Sequence, residues 1–268
     1  MQSPIAAWTT RILLILGLGL GFAAQAASAQ TAQEQASIEQ ALQRGRLMFG
    51  IDRAAWVATD DMVARIRDLQ ASGIRGYIVE PQPDGFDVIF YAASGNDLVQ
   101  AYRGRVGRRG VASREVFPAA SRPPLTAAQR RMVAAVNAAA GSGRRPCGNQ
   151  RFNPLIIPPA SAEAPIDVYL MTPQTAQGIP FGGHFRVTVA PDGSVASSRA
   201  FTNSCLVMPR PPANAAGLMV SHLLDPVPTE VHIFSSLAAG VPVFVATSNP
   251  DRLWEVTGER VRLVPNRR

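Results

Sequence analysis

The stretch GYIVEPQPDGFDVIFYA, Gly76–Ala92, decides the fold class. Two runs rich in β-branched and aromatic residues flank a Pro83-Asp84-Gly85 turn. Phe86, Val88 and Phe90 alternate with Asp87 and Ile89, the period-two pattern of a strand with one face on a core. A short turn between two such runs predicts an antiparallel hairpin. Downstream, DLVQAYRGRV and GVASREVF read as two more short strands joined by GRRG, so the hairpin extends into a meander.

Upstream the period changes to that of a helix. Ile38, Leu42 and Leu47 fall on one side of a first helix that Gly45 and Gly50 weaken. A second helix is expected from Thr59 or Asp60, carrying Met62, Ile66 and Leu69 and stopping at Gly73. After the meander, PPLTAAQRRMVAAVNAAAGSG has a capping box in Thr126 and Gln129 and a stop at Gly141. The turn-rich segment Gly141–Pro159 is the best candidate linker.

From Ile166 onward the chain reads as strands, including a hairpin about Asp192-Gly193 in HFRVTVAPDGSVASSRAF. PTEVHIFSS, Pro228–Ser236, also reads as a strand, with Val231 and Ile233 inward and Glu230 and His232 on the opposite face. The expected class is therefore α+β: N-terminal helices with a small antiparallel meander, then a mostly antiparallel β portion. The expected division is a cleaved signal peptide over 1–29, a helical and meander portion over 30–142, and a β-rich portion over 143–268. The two portions read equally as one continuous domain.

The leader reading rests on Arg11, an apolar run of 13 residues from Ile12 to Ala24, and Ala27 and Ala29 before the cut. A membrane span needs about 20 such residues, and no later stretch supplies them. The expected location is periplasmic or secreted. Cys147 and Cys205 are the only cysteines, and in an oxidising compartment they are expected to pair.

All 26 basic residues are arginine. Between Arg103 and Arg151 there are 11 arginines and one acidic residue, Glu115. This band favours anionic partners, an envelope surface or another envelope protein, and Arg108, Arg109, Arg144 and Arg145 are its candidate anion-binding residues. Aromatic residues are too sparse in the band to favour nucleic acid, which also lies in the wrong compartment.

The remaining chemistry lies in the second half. His184, His222 and His232 are the only histidines, and with Glu230 they are the candidate metal ligands. Glu230 and His232 form an alternative carboxylate–histidine proton-transfer pair. The spacing matches no zinc-binding motif, so the cofactor is left unassigned. Two functions follow as expectations: a non-catalytic exported envelope or binding protein, and, as the alternative, a small metal-dependent hydrolase-like enzyme.

Overall fold

A computed structural model describes residues 30–176 and 178–265. The leader peptide expected over 1–29 lies outside the described residues. The fold is α+β with mostly antiparallel strands.

Helix α1 runs unbroken from Ala32 to Arg65. It starts at a capping box, in which Thr31 Oγ1 accepts from Glu34 N–H and Glu34 Oε2 accepts from Thr31 N–H. The two helices expected on either side of Gly45 and Gly50 are thus one. The glycines persist because neighbours occupy the space their side chains would take. A Cβ on Gly45 would lie 2.6 Å from Ile233 Cβ, and one on Gly50 would lie 2.5 Å from Phe86 Cζ. Thr59 does not open a helix; its hydroxyl donates to Ala55 O within α1. The expected second helix shrinks to α2, Leu69–Ser72, capped by Asp68 and closed by Gly73.

Strands β1 (Ile74–Gln82), β2 (Gly85–Ser94), β3 (Asp97–Gly107) and β4 (Gly110–Val116) form the expected meander, paired in sequence order. Phe86, Val88 and Phe90 face α1 together with Tyr102 and Val106. Ile89 and Tyr91 face α3, Ala127–Ala140, whose Thr126–Gln129 capping box forms as read.

A second antiparallel sheet has the order β5 (Asn153–Ile157), β6 (Ile166–Met171), β8 (Phe185–Val189), β9 (Val195–Ala200). The hairpin β8–β9 turns at Asp192, whose carboxylate accepts from the backbone and hydroxyl of Ser194. Two short strands, β7 (Gly178–Pro180) and β10 (Val207–Pro209), pair with each other. The last sheet has the order β11 (Leu218–His222), β12 (Val243–Ser248), β13 (Asp251–Val256), β14 (Val261–Leu263).

One segment departs from its sequence reading. Pro228–Ser236 is not a strand: Glu230–Ala239 forms α4, which crosses over between the parallel strands β11 and β12. A crossover of this kind is how parallel neighbours are joined. Its N-cap resembles a capping box with histidine at the third position, because Thr229 N–H donates to His232 Nδ1 at 3.0 Å. Gly240 closes it in the left-handed region at φ 70°. The period-two pattern misled because α4 is buried all round, from Glu230 to Ser236. On such a helix, apolar residues carry no information about period.

Helix α1 is the common wall of the molecule. Its middle packs on the meander, on Leu155 and Tyr169 of the second sheet and Phe201 just after it, and on Val231 and Phe234 of α4. Its first turns put Ile38 and Ala41 against Val220, Val245 and Trp254 of the last sheet. The main cores thus draw residues from both sides of the turn-rich segment at Gly141–Pro159.

Candidate functional site

The sequence-predicted residues fall into two buried polar groups, one separate buried histidine, a disulfide and a scattered set of arginines. Glu230 occupies the first turn of α4, where its carboxylate accepts from Tyr169 Oη–H at 2.8 Å and pairs with Arg186 at 3.3 Å. Arg44 of α1 donates to Tyr169 Oη at 3.0 Å and also pairs with Asp167, which accepts from Thr188 Oγ1–H at 2.7 Å. Burial pushes the Asp167 carboxyl up, but the hydrogen bonds from Arg44 and Thr188 outweigh it and hold the group below the usual range. The polar side of the β8 strand, Arg186 and Thr188, is therefore not left to water. It is covered by α1 and α4 through ion pairs and hydrogen bonds, as buried charges require.

The histidines come only partly together. His222, the last residue of β11, is fully buried, and its Nε2 meets Asp225 Oδ2 at 2.8 Å. Its ring stands edge-to-face on His232 with centroids 4.7 Å apart. Arg199 closes this group by pairing with Asp225 at 2.7 Å. Burial drives His232 down to about pH 3, reinforced by the neighbouring His222.

His184 sits apart in its bonding. Its Nδ1 accepts from Thr172 N–H at 3.1 Å, so its Nε2 carries the hydrogen and donates to Pro180 O at 3.0 Å. Both ring nitrogens are spent on backbone, and burial holds the group neutral, down to about pH 4. Among the described residues no group of three or more His, Cys, Asp or Glu side chains is placed to hold a metal ion. Glu230 and His232 point to different partners, Tyr169 and Thr229, rather than to each other.

The arginine band is largely consumed by the fold. Arg103 and Arg105 pair with the buried Asp87, and Arg114 pairs with Asp61. Arg122, Arg130 and Arg131 donate to backbone carbonyls. Arg144 donates to Ser198 through Nε at 2.9 Å and lies over the Phe185 ring. Arg108 and Arg109 are exposed at the β3–β4 turn, and Arg145 is exposed beyond α3. The four candidate anion-binding residues therefore do not share one bonding state.

A further concavity lies elsewhere. A cleft of about 720 Å³ opens between α1, α4 and two loops. Helix α1 contributes Phe49, Asp52, Arg53, Trp56 and Thr59, spaced three or four apart along one face. Opposite stand Gln150–Asn153, Met171–Ala176 and Arg210, with Phe234 and Ala238 of α4. The volume is in the range of small-molecule sites.

Inside it, Tyr77 Oη–H donates to Asn153 Oδ1 at 3.0 Å, and Asn153 Nδ2–H donates to Asp52 Oδ1 at 2.7 Å. The chain locks the orientation of the Asn153 amide. Burial raises the Asp52 carboxyl above its ordinary range, against the opposing pull of Asn153 and Arg53. Burial, then the Asp52 charge, raises Tyr77 as well. Trp56 stands 59% exposed at the mouth.

The disulfide Cys147–Cys205 forms, as expected from the sequence. Its position ties both loops of the cleft. Cys147 stands three residues before Gln150, Cys147 N–H donates to Thr172 Oγ1 at 3.1 Å, and Cys205 leads through β10 to Arg210. Sequence reasoning missed this site because its residues are scattered from position 49 to 238. The available signal was a tryptophan on a helix stripe that also carries Asp52, Arg53 and Thr59, an aromatic where a solvent face is expected. No helix among the described residues is long and apolar enough to cross a membrane. Comparison with known proteins gives no match to a family model, to a curated protein or to a solved structure.

Proposed function

We propose that this is a non-catalytic exported binding protein of the cell envelope whose ligand enters the cleft between α1, α4 and the disulfide-tied loops. The observation that carries the reading is the composition of that cleft. An apolar floor, a fixed Tyr77–Asn153–Asp52 chain and an exposed tryptophan at the mouth are the ingredients of a small-molecule site. Export is supported by the leader-like residues 12–29 and by the disulfide, which persists in oxidising compartments. The hydrolase alternative draws no support from the geometry around Glu230 and His232, because His232 Nδ1 is spent on its own helix cap.

The test uses N-phenyl-1-naphthylamine, a neutral apolar probe whose emission rises when it leaves water. Bound probe should quench Trp56 and leave the buried Trp254 unchanged. Ala176→Trp, an exposed rim position, should plug the mouth and abolish the signal without unfolding the chain. Probe emission that is the same with Ala176→Trp as without it would place binding outside the cleft and sink the reading.

A further inference from the structure

We infer that the cleft takes an organic anion, a molecule with an apolar body and a carboxylate or phosphate head. This rests on the reading of the cleft as a ligand site and adds the chemistry of the ligand.

The floor and the rim differ in character. Phe49, Tyr77, Phe152, Met171 and Phe234 give the interior an aromatic and aliphatic lining suited to an apolar body. Three arginines, Arg53, Arg151 and Arg210, line the same cleft, and Asp52 is its only acidic residue. All three arginines are exposed. Elsewhere in the molecule most guanidinium groups are bound to carboxylates or carbonyls, as for Arg44, Arg103, Arg114 and Arg199. Here Arg53 and Arg151 make no hydrogen bond among the described residues. Arg210 uses only Nε, donating to Thr175 O at 3.1 Å, which orients the guanidinium while leaving its terminal nitrogens available.

A planar guanidinium matches carboxylate and phosphate oxygens two at a time, which a neutral or cationic head cannot use. Asp52 does not reverse the sign. It already accepts from Asn153, and burial disfavours its charged form. With Asp52 ionised the lining still carries a net charge of +2 from its three arginines and one carboxylate. Trp56 beside this rim offers a flat apolar face to the part of the ligand just below its head.

The test compares three probes with the same twelve-carbon chain below their micelle concentrations: dodecanoate, dodecanol and dodecyltrimethylammonium. Trp56 emission and calorimetry read the binding. Dodecanoate should bind at least about ten-fold more tightly than dodecanol, as expected for guanidinium pairs at a partly exposed rim, with the cation weakest. Arg53→Gln, Arg151→Gln and Arg210→Gln should each weaken dodecanoate about three-fold and leave dodecanol unchanged.

Asp52→Asn supplies a readout that misfolding cannot imitate. Removing the one negative charge should tighten dodecanoate about three-fold while leaving dodecanol unchanged. Equal affinity for all three probes, or weaker dodecanoate binding in Asp52→Asn, would overturn the anion inference and leave the cleft reading standing. Failure of every probe, including N-phenyl-1-naphthylamine, would overturn both. Adsorption to phosphatidylglycerol vesicles without uptake of monomeric dodecanoate would also overturn it, assigning the arginines to surface contact instead.

Discussion

Tyr169 of β6 donates its hydroxyl hydrogen to Glu230 of α4 at 2.8 Å, across the interface between the second sheet and the crossover helix. The same hydroxyl accepts from Arg44 of α1 at 3.0 Å. One phenol thus joins three elements, and its loss should be felt in all of them.

Tyr169→Phe keeps the ring, which stacks on Phe201 with centroids 6.1 Å apart, and removes only the hydroxyl. Arg44 and Glu230 each lose a buried partner, so stability should fall by about 1–3 kcal/mol. Urea unfolding checks this. An unchanged midpoint would show that water replaces the hydroxyl at no cost.

Stability should decline as pH falls from about 6.5 toward 4. His184 and His232 are neutral and buried, with folded values of about 4 and about 3, both below the unfolded value. The unfolded chain therefore binds more protons in this window, and stability rises with pH across it. Each histidine contributes a slope of about 1.4 kcal/mol per pH unit once its unfolded form is protonated. In His232→Asn the new Oδ1 can still accept from Thr229 N–H, so the cap survives while one slope disappears. Thermal denaturation of both forms from pH 7 to pH 4 reads the difference, and parallel curves would exclude His232 as a contributor.

Gly45→Ala should destabilise the protein although alanine is the better helix former by about 1 kcal/mol. The added Cβ would lie 2.6 Å from Ile233 Cβ and 2.7 Å from the Glu230 carbonyl oxygen, and that oxygen belongs to a helix backbone that cannot yield locally. Overpacking of this kind costs about 1–3 kcal/mol, leaving a net loss. A raised melting temperature would mean that α4 can move away from α1 freely.

Replacing both cysteines by serine removes a bridge between positions 58 residues apart. Loss of loop-closure constraint should cost about 3–4 kcal/mol. Because both cleft loops hang from this bridge, probe binding in the cleft should weaken even at temperatures where the variant remains folded. Circular dichroism and probe titration, made side by side, separate the two effects.

The local signals for β1–β4 and the β8–β9 hairpin were plain because each strand pairs with its neighbour in sequence across a short turn, and that for α3 because its capping box and glycine stop lie within the helix segment itself. The α4 segment was opaque for the opposite reason. Val231 and Phe234 face one core and Ile233 another, so their spacing reflects total burial rather than one buried face. The unbroken α1 was hidden in the same way, since the reason for Gly45 lies in Glu230 and Ile233, far along the chain. The histidines were visible as residue types, but only the fold shows that His184 is committed to Thr172 and Pro180 and that His222 leans on His232. The arginine band was read correctly as an excess of charge. Its partners Asp61 and Asp87 lie outside it in sequence, so the neutralisation could not be seen.

The place of α1 has a consequence in time. Glu34 in its first turn is held by Arg252 at 2.9 Å, and Ile38 and Ala41 are covered by the strands that carry Val220, Val245 and Trp254. A chain delivered with its amino end first must therefore wait for residues some two hundred positions later before this helix can bury its apolar stripe. Contacts of such long sequence separation form late, because loop closure must precede their reward. Until those residues are in place the early helix is thus a client for any holding factor it meets. Final closure of the molecule is set by the arrival of β11, β12 and β13 rather than by the speed at which α1 coils.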